Sequence, residues 1–82
     1  MLWPFVRRGT EGNHVIGTRG QVTGTIGPGL IGEVLLKVRG GVEAFYAYPA
    51  DPQERIEPGT QVLVVDFDEP RTVYVQRWLP LR

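Results

Sequence analysis

Cysteine and serine are both missing from this 82-residue chain. Without cysteine there is no disulfide framework, no thiolate metal site and no Cys nucleophile. Without serine the commonest hydroxyl nucleophile is gone too, and His14 is the only histidine. A hydrolytic triad or a zinc site needs further members close by, so His14 reads as a solvated loop residue. Charge of one sign is equally scarce: nine Lys and Arg face nine Asp and Glu, for a formal net charge of zero. Nucleic-acid binders usually carry a basic surplus, because phosphate neutralisation and counterion release supply much of their affinity. A neutral chain also has little attraction to an anionic membrane surface. No run reaches the about 18–20 apolar residues of a membrane-spanning helix. A chain of this length forms one domain with a modest core, burying about 60–65% of its extended surface.

Glycine is plentiful, and its placement is the strongest signal present. It recurs at 17, 20, 24, 27, 29 and 32 with Val, Ile and Thr between. Such a segment is a poor helix. It suits a strand that must bend sharply or let another backbone approach closely, as in a small barrel. The pattern predicts a first strand over Arg19–Ile26, a turn at Gly27-Pro28-Gly29, and a second strand over Gly32–Arg39. In the second strand Val34, Leu36 and Val38 share one face, and Glu33, Leu35, Lys37 and Arg39 share the other. Gly40-Gly41 reads as a two-residue hairpin loop. A third strand over Val42–Tyr48 follows, with Val42, Ala44, Tyr46 and Tyr48 on one face.

Residues 49–59 hold three prolines around one apolar anchor, Ile56, and leave room for at most one helical turn. A fourth strand over Thr60–Phe67 is apolar enough to be covered on both faces, and a fifth spans Thr72–Trp78 after the turn at 68–71. Three strands, a proline-rich crossover and two more strands describe an all-β, five-stranded Greek-key barrel of the OB-fold type. An SH3-like barrel is the competing architecture, and the connector and bent first strand favour OB. The barrel is expected over 17–78, with tails at 1–16 and 79–82.

Three constellations invite a chemical reading. Gly27 to Gly32 satisfies G-x-G-x-x-G, but the dinucleotide site needs a helix opening there and an acid further on. A β-branched strand follows instead. Asp66, Asp68 and Glu69 cluster at the turn between strands four and five, where oxygen-rich sites for hard cations occur, yet Asp-Glu-Pro-Arg is ordinary turn chemistry. The expectation is therefore no enzyme, no cofactor and no metal. Lys37, Arg39, Phe45 and Tyr46 form the third set. In single-strand-binding OB folds, aromatic groups on strands two and three stack bases while basic groups meet phosphates. The same rings also serve to fill a small core.

The ordered motifs carry a family resemblance. Gly17-x-x-Gly20-x-Val22, Pro28-Gly29, Gly32-Glu33-Val34, Ala44-Phe45-Tyr46-Ala47, Ile56-x-Pro58-Gly59-Thr60-x-Val62-x-Val64-Val65 and Val73-Tyr74-Val75 together resemble the C-terminal OB domain of the NfeD-like family. Its members carry membrane helices before the OB domain. They are associated with membrane scaffolds of the stomatin, prohibitin and flotillin type. The resemblance implies a membrane-associated protein whose soluble domain lies on the cytoplasmic side. It makes Leu2-Trp3-Pro4-Phe5-Val6, followed by Arg7-Arg8, the remnant of a membrane exit, where Trp and Arg are commonly found; a tail covering the barrel is the other reading. The run is too short for a signal peptide. Longer members add a serine-protease domain that this chain lacks, and no catalytic residue carries over.

Two functions follow as expectations. The first is a protein-interaction module that docks a stomatin, prohibitin or flotillin-type partner through Leu35, Phe45, Leu63 and Trp78, placed outward by strand parity. The second is a single-stranded nucleic-acid binder using Lys37, Arg39, Phe45 and Tyr46.

Overall fold

The computed structural model describes residues 15–79. The expected membrane-exit segment, His14 and the last three residues lie outside the described residues. Five strands form, β1 (Arg19–Gly24), β2 (Gly32–Val38), β3 (Gly41–Pro49), β4 (Gln61–Asp68) and β5 (Thr72–Arg77). They close in the order β1-β2-β3-β5-β4 and back to β1, the strand order of an OB barrel. All neighbours are antiparallel except β3 and β5, which run parallel from Tyr46 opposite Thr72 to Pro49 opposite Val75.

Alternation along each strand builds the core. In β2 Gly32, Val34 and Leu36 point inward while Glu33, Leu35 and Lys37 point out. β5 contributes Val73 and Val75, and β4 contributes Val62 and Val64. A bulge after Val64 re-aims the rest of β4, so that Phe67 leans on the core from its margin. β4 is thus not covered on both faces: Leu63 is half-buried and Val65 exposed. Val15, expected in the lead-in, belongs to the core, held where Thr18 N–H donates to its carbonyl at 3.1 Å and Gly17 N–H donates to Val64 at 2.8 Å.

In β3 the inward residues are Phe45 and Ala47. Val42, Ala44, Tyr46 and Tyr48 do share one face, and it is the outer one. The reason is register: Phe45 lies opposite Val34, and cross-strand partners occupy the same side of a sheet. The hairpin loop is Arg39-Gly40 rather than Gly40-Gly41, because Val38 pairs with Gly41. Only Gly40, at φ 81°, needs the left-handed region.

β1 ends at Gly24, and the chain then turns across the barrel end. Ile26 and Ile56 exchange both backbone hydrogen bonds, at 3.0 and 2.8 Å, and both side chains are fully buried. The connector is a series of turns without a helical segment, starting with Glu54 N–H on the Asp51 carbonyl. Ion pairs Arg55–Glu57 and Arg77–Glu54 decorate it. Exposed pairs contribute about 0–1 kcal/mol, whereas truncating a buried Ile to Ala costs about 2–5 kcal/mol. Ile56, not the ion pairs, anchors the connector.

Gly32 makes that anchor possible. A methyl group there would strike the Ile26 side chain and lie 2.9 Å from both the Ile26 Cα and the Thr25 carbonyl oxygen. Gly32→Ala is expected to lower stability by about 1–3 kcal/mol, the usual range for overpacking. Gly41 has open space around its Cβ position and no positive φ, so Gly41→Ala is expected within about 0.5 kcal/mol of the parent. Denaturant midpoints of the two variants, at unchanged slope, check the contrast.

Candidate docking surface

The interior is filled by apolar side chains, and no buried polar side chain lacks a partner among the described residues. The polar and charged side chains among the described residues therefore lie outside the core. Barrel closure brings the outward residues of four strands into rows. Gln21 stands opposite Leu35 on one side and Gln61 on the other, and Trp78 N–H donates to the Gln61 carbonyl at 3.0 Å. One row thus runs Leu35, Gln21, Gln61, Trp78. The next runs Arg19, Leu63, Gln76. The Arg19 guanidinium sits 4.5 Å from the centroid of the Trp78 ring, which fixes the indole against the sheet through a cation–π contact.

Leu63 and Trp78, both half-buried, accordingly lie on neighbouring strands, while Leu35, 37% exposed, stands three strands from Trp78 along its row and faces another side of the closed barrel. Phe45 does not join them. It is only 7% exposed, and the Arg71 guanidinium lies 4.7 Å above its ring. Arg71 is itself held by the Ala44 carbonyl at 3.1 Å and the Glu43 carboxylate at 2.9 Å. The placement of Phe45 on the docking face is corrected: it is a core residue capped at the barrel end. Sequence reasoning missed Arg19, whose neighbours Leu63 and Trp78 come from the far end of the chain through closure alone.

The nucleic-acid set is not gathered into one platform. Lys37 stands opposite Val42, while Tyr46 stands opposite Glu33. Four residues separate them along β2, about 13 Å at strand rise, and Tyr46 itself is opposed by the Glu33 carboxylate. Arg39 sits in the hairpin loop and Phe45 is buried.

The remaining motifs have structural uses. In Gly27–Gly32, Leu30 N–H donates to the Gly27 carbonyl at 3.1 Å, Gly29 takes φ 76°, and a strand follows. Asp66 accepts from Phe67 N–H at 2.8 Å and Asp68 from the Tyr74 hydroxyl at 3.1 Å. Among the described residues no three His, Cys, Asp or Glu side chains converge as metal ligands. No helix among them is long and apolar enough to cross a membrane.

The class so defined is an all-β, closed five-stranded barrel with OB strand order and an amphipathic outer face. The NfeD C-terminal domain matches residues 19–76, and the chain belongs to that family, which is not a known enzyme family. Two solved structures are similar. The solution structure of the soluble domain of the NfeD protein YuaF from Bacillus subtilis is 28% identical, with a TM-score of 0.75, covering 93% of this chain and 88% of that one. The crystal structure of the soluble domain of a membrane protein implicated in regulation of membrane protease activity, from Corynebacterium glutamicum, is 26% identical, with a TM-score of 0.68, covering 80% and 95% respectively. A search of curated proteins finds no match.

The Tyr74–Asp68 contact makes a pH prediction. The hydrogen bond to Asp68, then its charge, raises the Tyr74 phenol above its ordinary value of 10.0. The fold prefers the neutral phenol, so this stabilisation is complete below about pH 10 and is lost as pH rises through the folded-state value. A tyrosinate absorbance titration should show a phenol ionising above that value. Tyr74→Phe removes this component, and Asp68→Asn moves it downward.

Proposed function

We propose that the chain is a non-enzymatic docking module, the soluble barrel of a membrane-associated NfeD-like protein that engages a scaffold of the stomatin, prohibitin or flotillin type on the cytoplasmic side of a membrane. The observation that carries this reading is the side of the barrel where Arg19 holds Trp78 beside Leu63, with Leu35 further round the barrel in the row of Trp78. Trp and Arg dominate binding hot spots because they bury large areas around a polar handle. A Trp that is half-buried and pinned by a cation loses little further freedom on binding, which favours affinity. Membrane association is supported by the similar Corynebacterium structure, the soluble domain of a membrane protein. The protease-related description belongs to the Corynebacterium protein, and a docking role suits regulation of another protein's activity better than chemistry does.

An NMR titration of the labelled chain with a stomatin-type soluble domain tests the reading. Amide shifts are expected to centre on Arg19, Leu63 and Trp78 and to reach Leu35. Trp78→Ala should weaken the complex at least about tenfold, a hot-spot effect. A spectrum left unmoved by the partner argues against docking. Shifts at Lys37 and Tyr46 on adding a single-stranded oligonucleotide at low salt, lost at high salt, would replace it with the nucleic-acid reading.

A further inference from the structure

The outer face of the β2–β3 hairpin is a second surface, away from Trp78. Its rows are read from the pairing: Glu33 with Tyr46, Leu35 with Ala44, Lys37 with Val42. Val42, near the hairpin loop, and Tyr46 are 60% and 59% exposed, and Ala44 between them is also exposed. An apolar strip with this much exposure commonly marks an interface. The charges beside it identify the occupant. Glu33 and Lys37 flank Leu35 two residues to either side, so a two-fold axis lying in the face, across the strands and through the Leu35–Ala44 row, carries Glu33 onto Lys37. Leu35 then meets its own copy, and Tyr46 meets Val42.

We infer that this face binds a second copy of the chain, two hairpins packing face to face with their β2 strands antiparallel. An isologous contact of this kind requires a surface that is complementary to itself under rotation, and the order acid, leucine, base along β2 satisfies that requirement. Thr23 donates to the Glu33 carboxylate through Oγ1 at 2.7 Å to Oε1, which steadies the acid on the face. Lys37 has no carboxylate partner among the described residues, whereas Arg55, Arg71 and Arg77 are each paired within the barrel. An axis along the strands instead would put Glu33 over Tyr46 and Lys37 over Val42, matching no charge. The patch is small, so the dimer belongs with weak interfaces that bury less than about 1,200 Å² in total. The inference does not depend on the stomatin-type partner, since the chain alone suffices.

Sedimentation velocity of the full chain over a concentration series tests it. Association toward a dimer is expected, weakening with added salt as flanking ion pairs are screened. Glu33→Lys and Lys37→Glu each set like charges against one another and should weaken association at least about tenfold, since like-charge juxtaposition is strongly unfavourable. The double variant Glu33→Lys/Lys37→Glu restores the pairing with signs exchanged and should recover the parent's association. Leu35→Glu, with two like charges on the axis, should dissociate the dimer, while the equally outward Gln76→Glu should not. A parent chain that stays monomeric throughout, or single reversals without effect, overturns the inference. So does a folded double variant that stays dissociated; if that variant does not fold, Leu35→Glu against Gln76→Glu decides.

Discussion

The backbone of Ile26 lies directly over Gly32, and most of the molecule is arranged by that contact. Only a residue without a Cβ lets the chain after β1 pass so close to the start of β2. Once there, Ile26 pairs with Ile56 through two backbone hydrogen bonds and pins a proline-rich connector that has no regular structure of its own. The pinned connector delivers the chain to β4 in register with β1: Val22 N–H donates to the Thr60 carbonyl at 3.0 Å, and Gly59 N–H to the Val22 carbonyl at 2.8 Å. From that register Arg19 falls opposite Leu63 and Gln21 opposite Gln61. The outer rows that hold Trp78 are thus a consequence of a close approach at the other end of the barrel.

What was legible in the residues was whatever local spacing determines. The five strands fall within one or two residues of their expected limits, and Ile56 is the buried anchor of its connector, because alternation and proline placement act over a few neighbours. The sidedness of β3 was not legible. Val42, Ala44, Tyr46 and Tyr48 take one face, and Phe45 and Ala47 share the other with Glu43, so the strand's one charge marks the side that turns inward. Only pairing with Val34 decides that Phe45 goes in. The outer surface shows the same division. Parity within single strands suffices to turn Leu35, Leu63 and Trp78 outward, while the place of Arg19 beside Leu63 and Trp78 needs the closure of β1 on β4. The hairpin slipped by one residue for a local reason: two adjacent glycines satisfy the need for positive φ equally well, and the Val38–Gly41 pairing chooses between them.

Electrostatics then explains why a neutral chain has faces of different character. Arg71 is consumed at the barrel end by Phe45, Ala44 and Glu43. Arg77 ties β5 to the connector through Glu54 and the Arg55 carbonyl. Arg55 is matched by Glu57. Each is exposed and worth little alone, but together they remove three cations from any binding stripe. Arg19 is committed to Trp78. Among the described residues Lys37 and Arg39 remain, both at one end of one hairpin, whereas affinity for a phosphate backbone accumulates over many contacts.

The two outer faces meet at a single side chain. Leu35 closes the row that begins at Trp78, and it also lies at the centre of the β2–β3 face. On the two proposals, a partner protein that covers Leu35 competes with a second copy of the chain for the same leucine, while Trp78 and Leu63 lie outside the proposed copy contact. Linkage makes the effect reciprocal: whatever factor self-association takes from partner affinity, the partner takes from self-association. The sequence of one short strand, Glu33-Val34-Leu35-Leu36-Lys37, thus supplies the core through Val34 and Leu36, and its other three side chains, all outward, are the ones on which both proposed contacts draw.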